Sequence, residues 1–187
     1  MIPRVDRSGT SPRVLVTGML STALLVATAC SAEQVMDAPG CDGGSTLVVA
    51  QSVPTAGLVP CFGPLPNGWS FTTVTVNQDG TTVHLDSDRA GDDAATLRYS
   101  DSCEFGAAVR VPSDFEGAER FDEIEQLQPS FRARVHYRFD GGCITWTFDF
   151  DSDASATESI ALEDSLAVVG RDELNDMLRE SFIDEEL

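Results

Sequence analysis

The segment Asp140-Gly141-Gly142-Cys143 joins two runs in which every second residue is apolar, and a glycine pair flanked in that way restricts the chain to a tight β-hairpin. Glycine reaches positive φ without steric cost, so the pair marks where the chain can reverse. With Gly141-Gly142 as the loop, Phe139 faces Ile144, Tyr137 faces Trp146, Val135 faces Phe148 and Ala133 faces Phe150, which makes one face wholly apolar. The other face sets Arg138 against Thr145, His136 against Thr147, Arg134 against Asp149 and Arg132 against Asp151. Each of those two cross-strand Arg/Asp pairs contributes about 0.2–1 kcal/mol.

Alternation of the same period recurs upstream. Trp69 to Val76, Thr81 to Asp86 and Ala94 to Ser100 are separated by the turn-forming stretches Asn77–Gly80 and Asp88–Asp92, the pattern of an antiparallel meander. Val74, Val76, Val83, Leu85, Leu97 and Tyr99 supply its apolar face. Four prolines between Val53 and Gly68 favour extended and turn conformations in the arm before it. The segment Glu119 to Leu127 reads equally as helix or edge strand. After Ser155 the period changes to 3.6: Ser155-x-x-Glu158 has capping-box spacing, and a helix is expected from Ala156 to Val169 with Ile160, Leu162, Leu166 and Val169 inward. A second helix is expected from Asp172 to Phe182, burying Leu174, Met177, Leu178 and Phe182. Strands first and helices last give an α+β fold: a mainly antiparallel β-sheet, meander plus hairpin, with two C-terminal helices packed on it and disulfides stabilising it.

The N-terminus carries a different pattern. Arg4, Arg7 and Arg13 precede an uncharged run from Val14 to Ala29, too short for a stable membrane span and ending in small residues, as an export signal does. Val26-Ala27-Thr28-Ala29-Cys30 matches a bacterial lipobox except that Ala27 stands where Leu is usual, so Cys30 is expected to be the lipidated first residue of the mature chain. Ala27-x-Ala29 also suits an ordinary signal peptidase, which would release a secreted protein. The expected organisation is signal peptide 1–29, tether 30–46 and a single domain 47–187. The domain is expected outside the cytoplasm, held at the membrane by two acyl chains.

Four cysteines remain once Cys30 is set aside, and an even number in an exported chain points to two disulfides. Three pairings are open. The sequential one, Cys41 with Cys61 and Cys103 with Cys143, closes one local loop and one strand-to-strand link and is preferred. No Cys-x-x-Cys or His-flanked spacing favours a zinc site instead, and neither metal nor other cofactor is expected.

Three of the 12 basic residues and one of the 31 acids lie in the leader, so cleavage moves the net charge from −19 to −21. Such a surface repels phosphate backbones and excludes nucleic acid as a partner. There is no lysine, which removes Walker-type phosphate loops, pyridoxal Schiff bases and Lys general bases from consideration. Asp149-x-Asp151-x-Asp153 invites a calcium-loop reading, but Ala154 and Ile160 stand where that loop needs Gly and Glu. The ladder Arg132, Arg134, His136 and Arg138 offers an anion or acidic-ligand face. Its plainer reading is charge pairing across the sheet. No serine elbow or metalloprotease motif is present, and the two histidines, His84 and His136, fall at outward strand positions.

Val49-Ala50-Gln51-Ser52-Val53-Pro54, Pro60-Cys61, Leu65-Pro66-x-Gly68-Trp69, Ser87–Asp92, Val111–Asp114 and Gly141-Gly142-Cys143 resemble the recurring blocks of uncharacterised actinobacterial exported, lipobox-bearing proteins. The resemblance spans most of the mature chain and implies a shared fold and an envelope location. It implies no activity. The function expected is a non-catalytic module that binds an envelope protein or small ligand at the cell surface; the alternative is an envelope hydrolase using carboxylates or His136.

Overall fold

The computed structural model describes residues 39–41 and 44–184, all within the unit Ser31–Leu187. The segment 1–29 expected as a signal peptide, and Cys30 expected to carry lipid, lie outside the described residues. The elements run α1 (Gly44–Ser52), β1 (Leu58–Phe62), β2 (Trp69–Asn77), β3 (Gly80–Ser87), β4 (Gly91–Ser100), β5 (Val109–Val111), β6 (Glu119–Gln126), β7 (Arg132–Phe139), β8 (Gly142–Asp149), α2 (Thr157–Glu163), β9 (Leu166–Gly170) and α3 (Arg171–Asp184). Seven strands form one antiparallel sheet in the order β2-β3-β4-β8-β7-β6-β5, and β1 with β9 forms a separate two-stranded ribbon. The α+β fold, mainly antiparallel and with two of its three helices near the C-terminus, is the one the sequence indicates.

One face of the sheet makes the core. Val74, Val83, Leu85, Leu97, Tyr99, Val135, Tyr137, Ile144, Trp146 and Phe148 are buried on it, as alternation requires. α1, the ribbon and α2 add Val49, Val59, Phe62 and Leu162. Phe62 meets Trp146 edge-on at 5.9 Å, and Tyr99 Oη donates to Leu58 O at 3.0 Å. Burying a side chain of this size contributes about 1.5–3 kcal/mol. Both disulfides have the sequential pairing, Cys41–Cys61 and Cys103–Cys143.

The hairpin forms, but its register differs. Phe139 pairs with Gly142, Tyr137 with Ile144, Val135 with Trp146 and Ala133 with Phe148. The reversal is therefore Asp140-Gly141, with Gly141 at φ +64°, and Gly142 already belongs to β8. Gly142 is needed for space: a Cβ there would lie 2.5 Å from Phe139 Cε2 and 2.7 Å from Ala56 Cβ. A slip of two residues keeps every side chain on its face. It does change the ion pairs, so Arg132 meets Asp149 at 2.6 Å instead of Asp151, and Arg134 faces Thr147 instead of Asp149.

The long helix expected from Ala156 to Val169 is divided. α2 ends at Glu163, and Leu166–Gly170, with its adjacent Val168 and Val169, becomes β9 because it completes the hydrogen bonding of β1, which has no other strand partner among the described residues. Ile160, assigned to the apolar stripe, is 57 % exposed. The capping box does not form. Ala156 is the N-cap residue without a side-chain bond, and Glu158 instead reaches Arg89 at 2.9 Å. Glu119 to Gln126 is strand. In α3 Leu174 is buried and Met177 is 39 % exposed, while the side chains of Leu178 and Phe182 lie outside the described residues. Order also begins before Leu47: Phe62 N–H donates to Pro39 O at 2.8 Å and Thr46 is fully buried.

Candidate functional site

Register decides which polar side chains meet on the sheet face opposite the core. Successive partners across β3, β4, β8, β7 and β6 form the row Thr82–Arg98–Thr145–His136–Phe121 and, beside it, His84–Thr96–Thr147–Arg134–Glu123. The loop after β4, tied down by Cys103–Cys143, rises next to these rows as a wall. Between them lies a cleft of about 420 Å³, lined by Thr82, Thr96, Arg98, Ser100, Asp101, Ser102, Glu104, Arg134, His136, Thr145 and Thr147.

Arg98 is the exceptional group on this floor. Every other described arginine holds a carboxylate or a backbone carbonyl. Arg98 has neither, because its neighbours in the row are Thr82 and Thr145, which carry no counter-charge. Asp101 shares the cleft with it without an ion pair, its carboxylate accepting from Ser102 Oγ at 2.9 Å.

The ladder named from the sequence is largely spent on pairing. Arg132 meets Asp149. Arg134 meets Glu125 at 2.6 Å and Glu123 at 3.5 Å. Arg138 bonds Glu119, holding that exposed carboxyl below its ordinary value, and lies over the rings of Phe105 and Phe121. Of the four ladder residues, Arg134 and His136 line the cleft.

His136 is on the outward face but only 1 % exposed, because Phe105 packs edge-on against its ring at 5.6 Å. Its Nδ1 lies 3.0 Å from Thr145 Oγ1, while Nε2 is buried without a partner. Burial, with the Arg134 charge nearby, pushes the imidazole below its ordinary pKa, so the neutral ring predominates near pH 7. His84 is the more accessible histidine and pairs with Asp93 at 3.1 Å. Asp149, first of the three alternating acids, answers to Arg132.

A second polar cluster sits on the core side of the sheet, where β6 presents Arg120 and Asp122 opposite Tyr137 and Val135. Arg120 donates to Asp122 at 2.8 Å and Tyr137 Oη at 2.9 Å, and its pair with Glu163 is 2.9 Å long. Tyr137 Oη in turn donates to Glu163 at 3.3 Å. The cluster fastens α2 to the sheet beside a cavity of about 310 Å³. Burial pushes the Glu163 carboxyl above its ordinary value of 4.5, against the pull of Arg120. The folded state therefore binds this proton more tightly than the unfolded chain does. Its contribution to stability is full below the unfolded value and is lost as pH rises through the folded one. Glu163→Gln should flatten that loss, read as a smaller fall in the urea midpoint between mildly acidic and neutral pH than the wild type shows.

The chain matches no protein family, no curated protein and no solved structure. The cleft must be read from its own chemistry: one unpaired cation, a floor of hydroxyls, and a neutral buried imidazole. Arg98 escapes a reading confined to motifs, although the signal is present. Ala95, Leu97 and Tyr99 point inward, which sends Arg98 outward toward threonines on both neighbouring strands.

Proposed function

We propose that this chain is an exported, lipid-anchored binding module of the cell envelope, of the actinobacterial lipobox-bearing kind its sequence resembles, and that it holds a small anionic ligand in the cleft without catalysing a reaction. The observation that carries this reading is the free guanidinium of Arg98 among hydroxyls. A chain of net charge −19 leaves one described arginine uncommitted, on the floor of a polar cleft of about 420 Å³. An unpaired guanidinium gives a carboxylate or phosphate two parallel donors, and the threonines around it suit a ligand that also carries hydroxyls. The two disulfides agree with an extracytoplasmic location.

Calorimetric titration with gluconate, glucuronate and inorganic phosphate tests the reading. At least one should bind with one-to-one stoichiometry, and Arg98→Met should weaken it on the order of tenfold or more. Equal affinity in wild type and variant, or no heat from any of the three, would dismiss the cleft as the ligand site. Intact-mass analysis of the envelope-extracted protein, with and without Cys30→Ala, checks the anchor separately.

The hydrolase reading keeps one observation in its favour, the approach of Thr145 Oγ1 to His136 Nδ1, a nucleophile beside a base. No carboxylate orients the far side of that ring, since Nε2 has no partner. Ester turnover abolished by Thr145→Val would establish this reading over the binding one.

A further inference from the structure

We propose that the Cys103–Cys143 disulfide masks a metal site: once a dithiol has reduced it, the two sulfurs and a ring nitrogen of His136 bind a thiophilic divalent cation of the zinc type through three protein ligands. The three ligand atoms lie within 4.8 Å of one another. Metal–sulfur bonds of about 2.3 Å and metal–nitrogen bonds of about 2.0 Å place the ligand atoms of a tetrahedral ion roughly 3.5–3.8 Å apart. The required rearrangement is a parting of the sulfurs and a small closure toward the ring.

The fold makes that movement cheap. Cys143 faces Arg138 and His136 faces Thr145, so these two ligands project from one face of adjacent strands, two residues apart, on a rigid hairpin. Cys103 comes from the loop after β4 and is half-buried, so it is the ligand that can yield.

The second observation is independent of the cysteines. A buried polar atom without a partner is rare enough to need a reason. Three such atoms occur among the described residues, and two of them are indole nitrogens that can only donate. The third is His136 Nε2. With Nδ1–H donating to Thr145 Oγ1, Nε2 carries a lone pair facing no donor, and a ligating imidazole commonly has its other nitrogen bonded in this way.

The balance is simple. A dithiol gives two electrons and two protons to the sulfur–sulfur bond and leaves as its own disulfide. Each freed thiol passes its proton to solvent as it binds the ion, so two thiolates neutralise a divalent charge. While the disulfide stands, its sulfurs are weak ligands and the site is closed.

Cobalt(II) is a direct probe. The protein is purified with both disulfides intact, reduced with dithiothreitol, desalted without oxygen and titrated with cobalt. One equivalent should bind with the visible bands of a tetrahedral ion and a near-ultraviolet thiolate-to-cobalt band, and the oxidised protein should show neither. Reduction also opens Cys41–Cys61, so a Cys41→Ser/Cys61→Ser variant should retain the site and Cys103→Ser/Cys143→Ser should lose it. His136→Asn should weaken binding at least about tenfold, with near-ultraviolet circular dichroism reporting whether the fold persists. No tetrahedral bands in the reduced wild type, or equal affinity in His136→Asn, would overturn the proposal, since an unfolded chain binding through cysteines alone would not sense His136.

Discussion

Gly141→Ala should lower the stability of the domain by on the order of 3 kcal/mol or more, seen as a large drop in the urea midpoint with an unchanged slope. Two effects add. Gly141 has φ +64°, where any side chain is strained, and a Cβ there would stand 1.9 Å from the carbonyl oxygen of Thr55. The turn cannot retreat, because Thr55 Oγ1 donates to Gly141 O at 2.9 Å and Gly57 N–H donates to Asp140 O at 2.8 Å. The substitution must move a backbone segment that is bonded from both sides. Gly44→Ala, whose Cβ would meet nothing within 4 Å, is the matched control and should stabilise slightly through helix propensity. Equal midpoints for the two variants would mean that the turn does not rest on the 55–57 segment.

Arg171→Met should cost about 3–5 kcal/mol, more than an ordinary surface charge deletion. Arg171 ends the ribbon and opens α3, and its guanidinium donates to three backbone oxygens at the other end of the domain: Ala56 at 2.6 Å, Val53 at 2.8 Å and Ala50 at 2.9 Å. Its own N–H donates to Gly57 O at 2.9 Å. Methionine keeps the length and apolar stem but takes the guanidinium donors from Ala50 O near the end of α1 and from Ala56 O, and leaves Val53 O only the N–H of Ala56, in a place water reaches poorly. Tyr99 lies close enough to feel the same charge, yet burial dominates and pushes its phenol up to about 12. Thermal unfolding with and without Arg171→Lys separates charge from geometry. Lysine should recover part of the loss, since it restores a cation but cannot reach three acceptors at once.

What could be read from the sequence follows from how local each signal is. The alternation of β2, β3, β4, β7 and β8 is a property of neighbouring residues, so faces and strands are legible there. The hairpin register is less so, because part of the reason Gly142 is glycine lies at Ala56, far away in the chain. Leu166–Gly170 reads as the continuation of a helix until β1 is known to need a partner, and that need is invisible within the segment itself. The arginine ladder draws notice because it is dense, but density also brings the carboxylates that occupy it. Arg98 is isolated in sequence and is, among the described arginines, the one left free. The neighbourhood of His136, Cys103 and Cys143 depends on which loop the disulfide pulls down, and spacing alone does not give it.

The ribbon also sets an order of events for a chain that emerges N-terminus first during synthesis. β1 emerges near the beginning of the domain, and its hydrogen-bonding partner emerges close to the end. Until Leu166–Gly170 arrive, Leu58–Phe62 is an open strand with an apolar inner side, the kind of edge that pairs with the wrong chain. The Cys41–Cys61 bond spans only 20 residues and sits on that strand, so in an oxidising compartment it can close early and pull Pro39 and Gly40 against Phe62 before β9 is present. A bond that adds modestly to the finished domain would thus guard it during the interval when it is most exposed to misassembly.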